Sequence, residues 1–475
     1  MNSYLSDKSL KAIVIISLAY VTPIVLTGGL YIDDIGRSLT GLAWMHDGRV
    51  LTSALMILLS GGYPVTDIYP IGNFASSLLI ALSGFTIAKS FGINTRSLVP
   101  ISLLILFSPF MLENLSYRFD SLSMGISIVA ICIPFLWYNK SLLFIMTSVI
   151  CVYVSLQTYQ ASSTCYLVIA CFFCADEFRK SFKNGMLLGI ASCLSFLTST
   201  LLSSITWKAL SLDMNGRGGI INSQEELIDN IYKYIDLLSD ATSYQLVFSL
   251  TLLLLPCVLF LIYVVRSGRK FHMKAFPIIM VALALIISIG PGLFLSGTWW
   301  TPRIMIGAPV FLTCLCCLAL AVNGDNWLTT VGSWLYLFAG LILCVSYANA
   351  TKANNEYIDS IISMARPYIS STDESNLVIN GEVKRPARVK IYDDKFPIIK
   401  HLIPTYMSNS WTWGVAQFKR TDSIGERAWG LRGERRVNAI KNICSMRVAL
   451  ANKDFTLYSD SNISILDFNK VKCAN

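Results

Sequence analysis

Runs of about twenty apolar residues without a charge recur through the first three quarters of this chain, each long enough to cross roughly 30 Å of hydrocarbon. A backbone in that medium has no water to bond, so each run must close its own N–H and C=O groups as a helix. Composition agrees: 54% of the residues are hydrophobic, 14% are charged, and the mean hydropathy is +0.57. An ordinary soluble domain carries about 25% charged residues. The runs therefore dictate an α-helical polytopic membrane protein.

Helices are expected at about Leu10 to Leu30, Ile68 to Ala88, Leu98 to Leu112, Leu122 to Tyr138, Leu142 to Leu156, Thr164 to Ala175, Met186 to Ile205, Leu246 to Val265, Ala275 to Leu295, Ile304 to Val322 and Leu328 to Tyr347, about eleven spans in all. The first is read as a retained helix, because it is long, holds Pro23 and lacks a small-residue cleavage site. The charge-free stretch between Lys140 and Asp176 would be about 52 Å long as one helix, too long for a bilayer, so it is split at Gln157-Thr158-Tyr159-Gln160. Charge bias supports that split. With the N-terminus in the cytoplasm, the inside segments hold Lys8, Lys11, Lys89, Arg96, Lys140 and the Arg179-Lys180 and Arg269-Lys270 clusters, against Asp7, Asp176, Glu177 and Asp325 as the only acids. The C-terminus then falls outside. The net charge of +9 is in this way a topology signal, and no nucleic-acid partner is expected.

From Thr351 onward the spans stop. Residues 1–350 are expected to form a transmembrane catalytic domain and residues 351–475 a small α/β or α+β domain on the periplasmic side. The amphipathic group Tyr357, Ile358, Ile361 and Ile362 predicts a helix, and Asn376 to Ile379 and Phe455 to Tyr458 predict strands. Trp411, Trp413 and Trp429 offer flat faces for sugar or for a core. Eleven of the thirteen cysteines lie in apolar runs; the remaining two, Cys444 and Cys473, either pair as a disulfide in an oxidising compartment or stay as two unpaired thiols.

Chemistry points to the outside loops. Tyr31-Ile32-Asp33-Asp34-Ile35-Gly36-Arg37 begins within a residue or two of the first span, where paired carboxylates are costly. The segment after it, with Arg37, His46, Asp47 and Arg49 among Leu39, Leu42, Ala43, Trp44 and Met45, reads as a helix lying along the interface. Further loops give Glu113 to Asp120, with an Asp120–Arg118 pairing in prospect, then Tyr159-Gln160 and Trp299-Trp300-Thr301-Pro302-Arg303. All fall on one face of the membrane. A carboxylate that accepts a proton from a hydroxyl, together with arginines that hold a phosphate in their fork, is the equipment of glycosyl transfer from a lipid-phosphate sugar. Asp33, Asp34 and Asp120 are the candidate acids, Arg37, Arg118 and Arg303 the phosphate ligands, and Tyr159, Gln160, Trp299 and Trp300 the sugar contacts. Side chains adjacent on a helix diverge by about 100°, so one of Asp33 and Asp34 would address the acceptor and the other orient it or hold an ion. Two neighbouring carboxylates permit either a divalent metal or none. The Gly216-Arg217-Gly218-Gly219 stretch reads as a linker, and no nucleotide-binding loop occurs in context.

Tyr31 to Arg37 followed by Gly48-Arg49, then Tyr117 to Ser121 and Tyr159-Gln160-Ala161, resemble the prophage-type serotype-converting O-antigen glucosyltransferases of enteric bacteria. The resemblance implies a GT-C-like plan with an acidic motif in the first outside loop, here Asp33 and Asp34 with Arg37 beside them. It also implies undecaprenyl-phosphate glucose as donor, an O-antigen repeat on its lipid carrier as acceptor, and the bacterial inner membrane as location. The residues themselves supply a membrane-embedded acid–base site; glucose comes from the resemblance. The rival readings are a transferase for another sugar, a sugar acyltransferase, and a flippase for lipid-linked sugars. A flippase would place its ionisable groups near mid-membrane and show internal repeats, whereas here the charges gather at helix ends.

Overall fold

The computed structural model describes residues 8–212, 219–244, 246–369, 376–409, 413–423, 430–460 and 462–473. The Gly216-Arg217-Gly218 part of the linker reading and the tryptophans Trp411 and Trp429 lie outside the described residues. The chain forms two compact units. One comprises Met1–Leu26, Leu42–Ser346 and Phe396–Leu402, the other Thr27–Gly41, Tyr347–Lys395 and Ile403–Asn475.

The first unit is a helical bundle. Among the described residues, seven helices in the chain are long and apolar enough to span a membrane, beginning with Lys8–Thr27 and ending with the one that starts at Trp327. Four shorter apolar helices accompany them, Val50–Leu59, Ser121–Trp137, Leu254–Arg266 and Gly307–Asn323. This differs in two places from the eleven expected runs. Leu98 to Leu112 is not one helix: a helix over Leu98–Ser102 gives way to turns before Met111–Ser116. Pro100 and Pro109 each remove an N–H donor there, and the bonds Leu103 N to Pro100 O and Leu104 N to Ile101 O are one residue short of helical. Because Leu103 to Leu106 are wholly buried, the break is invisible in hydropathy. Val50–Leu59 was not expected as an apolar helix at all. The split of the long stretch is present: Ser141–Thr158 ends, Tyr159 is extended, and Cys165–Phe178 follows.

Small residues let these helices approach closely, as lipid-immersed bundles require. A Cβ at Gly84 would overlap the Ser102 carbonyl oxygen, and one at Gly307 that of Ser288; one at Gly125 would lie 2.9 Å from Ser76 Cα. Ser127 donates to the Tyr159 carbonyl at 3.0 Å and pairs with Ser155 at 2.8 Å, joining two helices at the Tyr159 turn. Overpacking such a contact costs about 1–3 kcal/mol or more. Gly84→Val is therefore expected to lower the melting temperature of the purified protein, whereas Gly268→Ala, with nothing within 4 Å of the new Cβ, leaves it unchanged; a calorimetric scan in detergent compares them.

The second unit contains a four-stranded sheet in the order β1 (Asn376–Asn380), β4 (Ile463–Asp467), β3 (Thr456–Ser459), β2 (Arg447–Ala451). β1 and β4 run parallel and the other pairs antiparallel. Alternation sorts its two faces. Leu377, Ile379, Leu457 and Leu466 join Ile358, Ile361, Ile362 and Phe418 in one core, while Val378, Tyr458 and Ile465 pack with Ala439 and Ile443 in another. The expected boundary after residue 350 falls inside a single helix, Trp327–Ala365, because the isoleucines at 358, 361 and 362 keep its apolar face supplied beyond the span. Cys444 and Cys473 are joined by a disulfide.

Candidate active site

In the second unit the acid pair opens a short helix, Asp33–Thr40. Negative charge is favoured at a helix N-terminus, so both carboxylates sit where the backbone's orphan N–H groups point. The two are not equivalent: Asp34 is wholly buried, whereas Asp33 is exposed. Asp34 Oδ2 accepts from the Tyr31 N–H at 3.3 Å, and the Asp34 N–H donates to the Tyr31 carbonyl at 2.9 Å. Between them Ile32 is buried with φ of 44°. For a β-branched side chain this left-handed conformation is an outlier costing about 1–3 kcal/mol, sustained only where surroundings over-determine it. One such constraint is the Tyr406 hydroxyl, which accepts from the Ile32 N–H at 3.2 Å. Backbone strain immediately before the acid pair marks a segment held for position. Gly41, at φ of 60°, ends the helix, and a separate 3₁₀ turn forms at Met45–Asp47. The single interfacial helix expected across Arg37 to Arg49 is thus interrupted by glycine.

In the first unit a second constellation forms where four segments meet, residues 44–49, 113–120, 159–160 and 299–303. Asp120, with its side chain 4% exposed, accepts from Arg49 Nη1 at 3.0 Å and from the Trp44 indole N–H at 2.6 Å. Arg49 Nε donates to the Gln160 side-chain oxygen at 3.3 Å, and the Gln160 amide donates to the Asp47 carbonyl at 3.1 Å. The Arg49 guanidinium also lies over the Tyr159 ring, 5.0 Å from its centroid. Tyr159 passes the network on, its hydroxyl donating to the Arg303 carbonyl at 3.1 Å. The Arg303 N–H donates to Glu113 Oε2 at 2.8 Å, and its guanidinium bonds the Tyr117 hydroxyl and lies 5.6 Å from the Trp299 ring centroid. The result is one connected series, Asp120, Arg49, Tyr159, Arg303, Glu113. Its carboxylates are buried, while the guanidiniums are 16% and 18% exposed. A guanidinium has five N–H donors, and neither Arg49 nor Arg303 uses Nη2 in these bonds. Each arginine thus stands beside a buried carboxylate with its side chain partly exposed.

Beyond the Asp120–Arg118 pairing expected from the sequence, the structure gives each residue a partner from elsewhere in the chain: Arg118 pairs with Asp67 at 2.5 Å and stacks on Tyr69, 4.1 Å from the centroid, and Asp120 pairs with Arg49. Seventy-one residues of chain separate that pair, which is why spacing does not reveal it. The adjacent tryptophans also diverge. Trp299 is 44% exposed, whereas Trp300 is buried, donating its indole N–H to the Asn230 side-chain oxygen at 3.1 Å and packing edge-on to Tyr234. Trp44, which the sequence places among the apolar residues of its segment, and Glu113 emerge as parts of the network. Gln157 is fully buried, and neither of its amide atoms has a hydrogen-bond partner within the protein. No group of three or more His, Cys, Asp or Glu side chains with metal-ligand geometry occurs among the described residues.

A multi-pass membrane protein that holds carboxylates and arginines at helix ends, with an acid pair placed by strained backbone, has the make-up of a membrane transferase. The family Glucosyl transferase GtrII matches residues 23–320. The chain belongs to that glucosyltransferase family, and it is a glycosyltransferase. It is 26% identical over 429 residues to an uncharacterized 55.3 kDa protein of Salmonella phage P22 from the region 5′ of gtrB, covering 85% of this chain and 88% of that one. Among solved structures it is similar to an Archaeoglobus fulgidus oligosaccharyltransferase tethered to an acceptor peptide, with 12% identity and a TM-score of 0.38. That likeness covers 89% of this chain but 64% of the archaeal one, so the chain spans less than two thirds of its length.

Proposed function

We propose that the protein transfers glucose from undecaprenyl-phosphate glucose to an O-antigen repeat on its lipid carrier, at the periplasmic face of a bacterial inner membrane, on a GT-C-like plan. The GtrII match carries this reading, because residues 23–320 enclose both the acid pair and the arginine network. Asp33 is the base: its exposed carboxylate takes the proton of the acceptor hydroxyl, whose oxygen attacks the anomeric carbon as the bond from that carbon to the phosphate oxygen breaks. Asp34, tied to the Tyr31 backbone, positions it, with Arg37 following in the same helix. The departing lipid phosphate gains negative charge, and a guanidinium steadies it best through paired N–H donors. Arg303 takes that role, with Arg49 added to the expected Arg118. Tyr159, Gln160, Trp299 and Trp300 are proposed to shape the place of the sugars, Trp299 by its accessible face. The disulfide between Cys444 and Cys473 supports an oxidising compartment for the C-terminal part, and a cytoplasmic N-terminus follows from the charge bias.

The donor reaches such a site through lipid, so the acid pair must face the compartment opposite the cytosol. A maleimide reagent too polar to cross membranes is expected to label Ser38→Cys, an exposed position in the Asp33–Thr40 helix, in cells whose outer membrane alone has been permeabilised. Labelling above the background of the unsubstituted protein only after the inner membrane is broken contradicts the assignment.

A further inference from the structure

The first unit carries a helix unlike its spans, Gln224–Thr242, which begins where the Ser223 hydroxyl accepts from the Glu226 N–H at 3.2 Å. At about 100° per residue its side chains fall into three sectors. One faces the protein: Asn230, Leu237 and Ala241 are buried, and Tyr234 packs edge-on to Trp300. A second holds Asp229, Lys233, Asp236 and Asp240. The third is a stripe of Ile228, Ile231, Tyr232 and Ile235, spaced i, i+3, i+4, i+7 and between 38% and 69% exposed. A stripe about 100° wide is what a surface helix ordinarily turns to a core; this one is turned outward.

The inward sector fixes where the helix lies. The Asn230 amide donates to the Leu293 and Leu295 carbonyls at 3.2 and 3.1 Å, and its oxygen accepts from the Trp300 indole N–H at 3.1 Å. Leu293 follows closely on Ser288, the end of a spanning helix, and the chain between is a turn and the 3₁₀ segment Pro291–Phe294, which rises about 2 Å per residue. The helix is thus held within about 10 Å of the span's end, at the level of the lipid headgroups. Apolar surface runs from the span to it. Leu285 and Ile286 at the end of the span, then Phe294, then Ile220, are all more than half exposed. The last two are joined through the Ile221 N–H, which donates to the Phe294 carbonyl at 3.1 Å, and the bridge from Ile220 to Leu295.

We propose that Gln224–Thr242 lies along the membrane surface on the side of the Trp299–Arg303 loop, with Ile228, Ile231, Tyr232 and Ile235 among the acyl chains and the charged sector in water. A second copy of the chain is a poorer fit, because a stable dimer buries about 20–30 residues on each side, far more than this stripe offers. The inward face grips the loop that carries Trp299 and Arg303, so the bilayer surface itself sets the level at which those two side chains stand. This arrangement requires that the chain cross a membrane and is the same for any sugar donor.

The test places the photoreactive residue p-benzoylphenylalanine, one position at a time, at Tyr232 or Ile235 in the stripe and at Asp229 or Lys233 in the charged sector, where both side chains are more than half exposed. Leu197, exposed on the spanning helix Phe182–Ala209, sets the value for full lipid contact. Each full-length variant is purified, shown to elute from gel filtration as the unsubstituted protein does, and irradiated in vesicles of phosphatidylethanolamine and phosphatidylglycerol with tritiated acyl chains. At Tyr232 one aromatic ring replaces another, so the stripe is probed with little disturbance of the fold. Label per protein at Tyr232 and Ile235 is expected to be about fivefold or more above that at Asp229 and Lys233, and to approach that at Leu197. Equal labelling of the two sectors overturns the proposal, as does an adduct between two copies, or one within the chain, in place of lipid.

Discussion

Asp120→Asn is expected to reduce glucosyl transfer by about a hundredfold or more while the protein still accumulates in the membrane. The substitution keeps an oxygen for the Trp44 indole but removes the charge that Arg49 answers at 3.0 Å. Breaking a buried pair by removing one partner costs about 3–5 kcal/mol, and Arg49, being 16% exposed, can turn to water rather than unfold the bundle. Once it turns, its bond to Gln160 and its place over Tyr159 go with it. A displacement of about 1 Å in such a network is enough for a hundredfold loss. Arg49→Ala should fall to a similar level. The double variant should be little worse than either single one, because partners in one network do not add. Transfer assays on membranes normalised for protein content measure all three. Activity within threefold of wild type in the single variants would detach this network from the reaction.

The acid pair should separate by role. Asp33→Asn removes the proposed proton acceptor, and general-base catalysis contributes about 10²–10⁴-fold, so turnover should drop by that range with acceptor affinity little changed. Asp34→Asn retains a side-chain oxygen for the Tyr31 N–H and should lose about tenfold, the measure of a positioning group whose charge is dispensable. Asp34→Ala, which also abandons the backbone next to the strained Ile32, should lose more than Asp34→Asn and lower thermal stability. Steady-state kinetics of the three variants decide. If Asp34→Asn is the dead enzyme and Asp33→Asn the mild one, the roles exchange; if both retain full turnover, neither is the base.

Much of this molecule is legible from its sequence because hydrocarbon is an undemanding reader. A charge-free run of twenty residues favours one outcome, and most of the expected apolar runs are helices, although seven helices among the described residues are long and apolar enough to cross a membrane. The same insensitivity explains the misses. Leu98 to Leu112 is as apolar as its neighbours, so only Pro100 and Pro109 hinted that its buried chain turns. The helix from Trp327 continues to Ala365 because Ile358, Ile361 and Ile362 find a core in the second unit, and local composition does not register that cover. In the site, Asp33, Asp34, Asp120, Tyr159, Gln160 and Arg303 could be singled out as polar groups at span ends. The pairing of Asp120 with Arg49 could not be read. Arg118 is two residues away and also pairs with Asp67, while Arg49 arrives from a different helix end. The strands at Asn376 and Thr456 carried their own alternation and were visible; the bridge between Leu377 and Gly430 is a contact that no local pattern encodes.

Glucose is proposed to arrive on a polyprenyl phosphate and not on a nucleotide. Purified protein in micelles, supplied with lipid-linked O-antigen repeat and radiolabelled glucose on either undecaprenyl phosphate or uridine diphosphate, measures it directly. Label is expected in the glycan from the lipid donor alone, abolished by Asp33→Asn. Label transferred from the nucleotide sugar, or none from the lipid donor when both substrates are present, would contradict it.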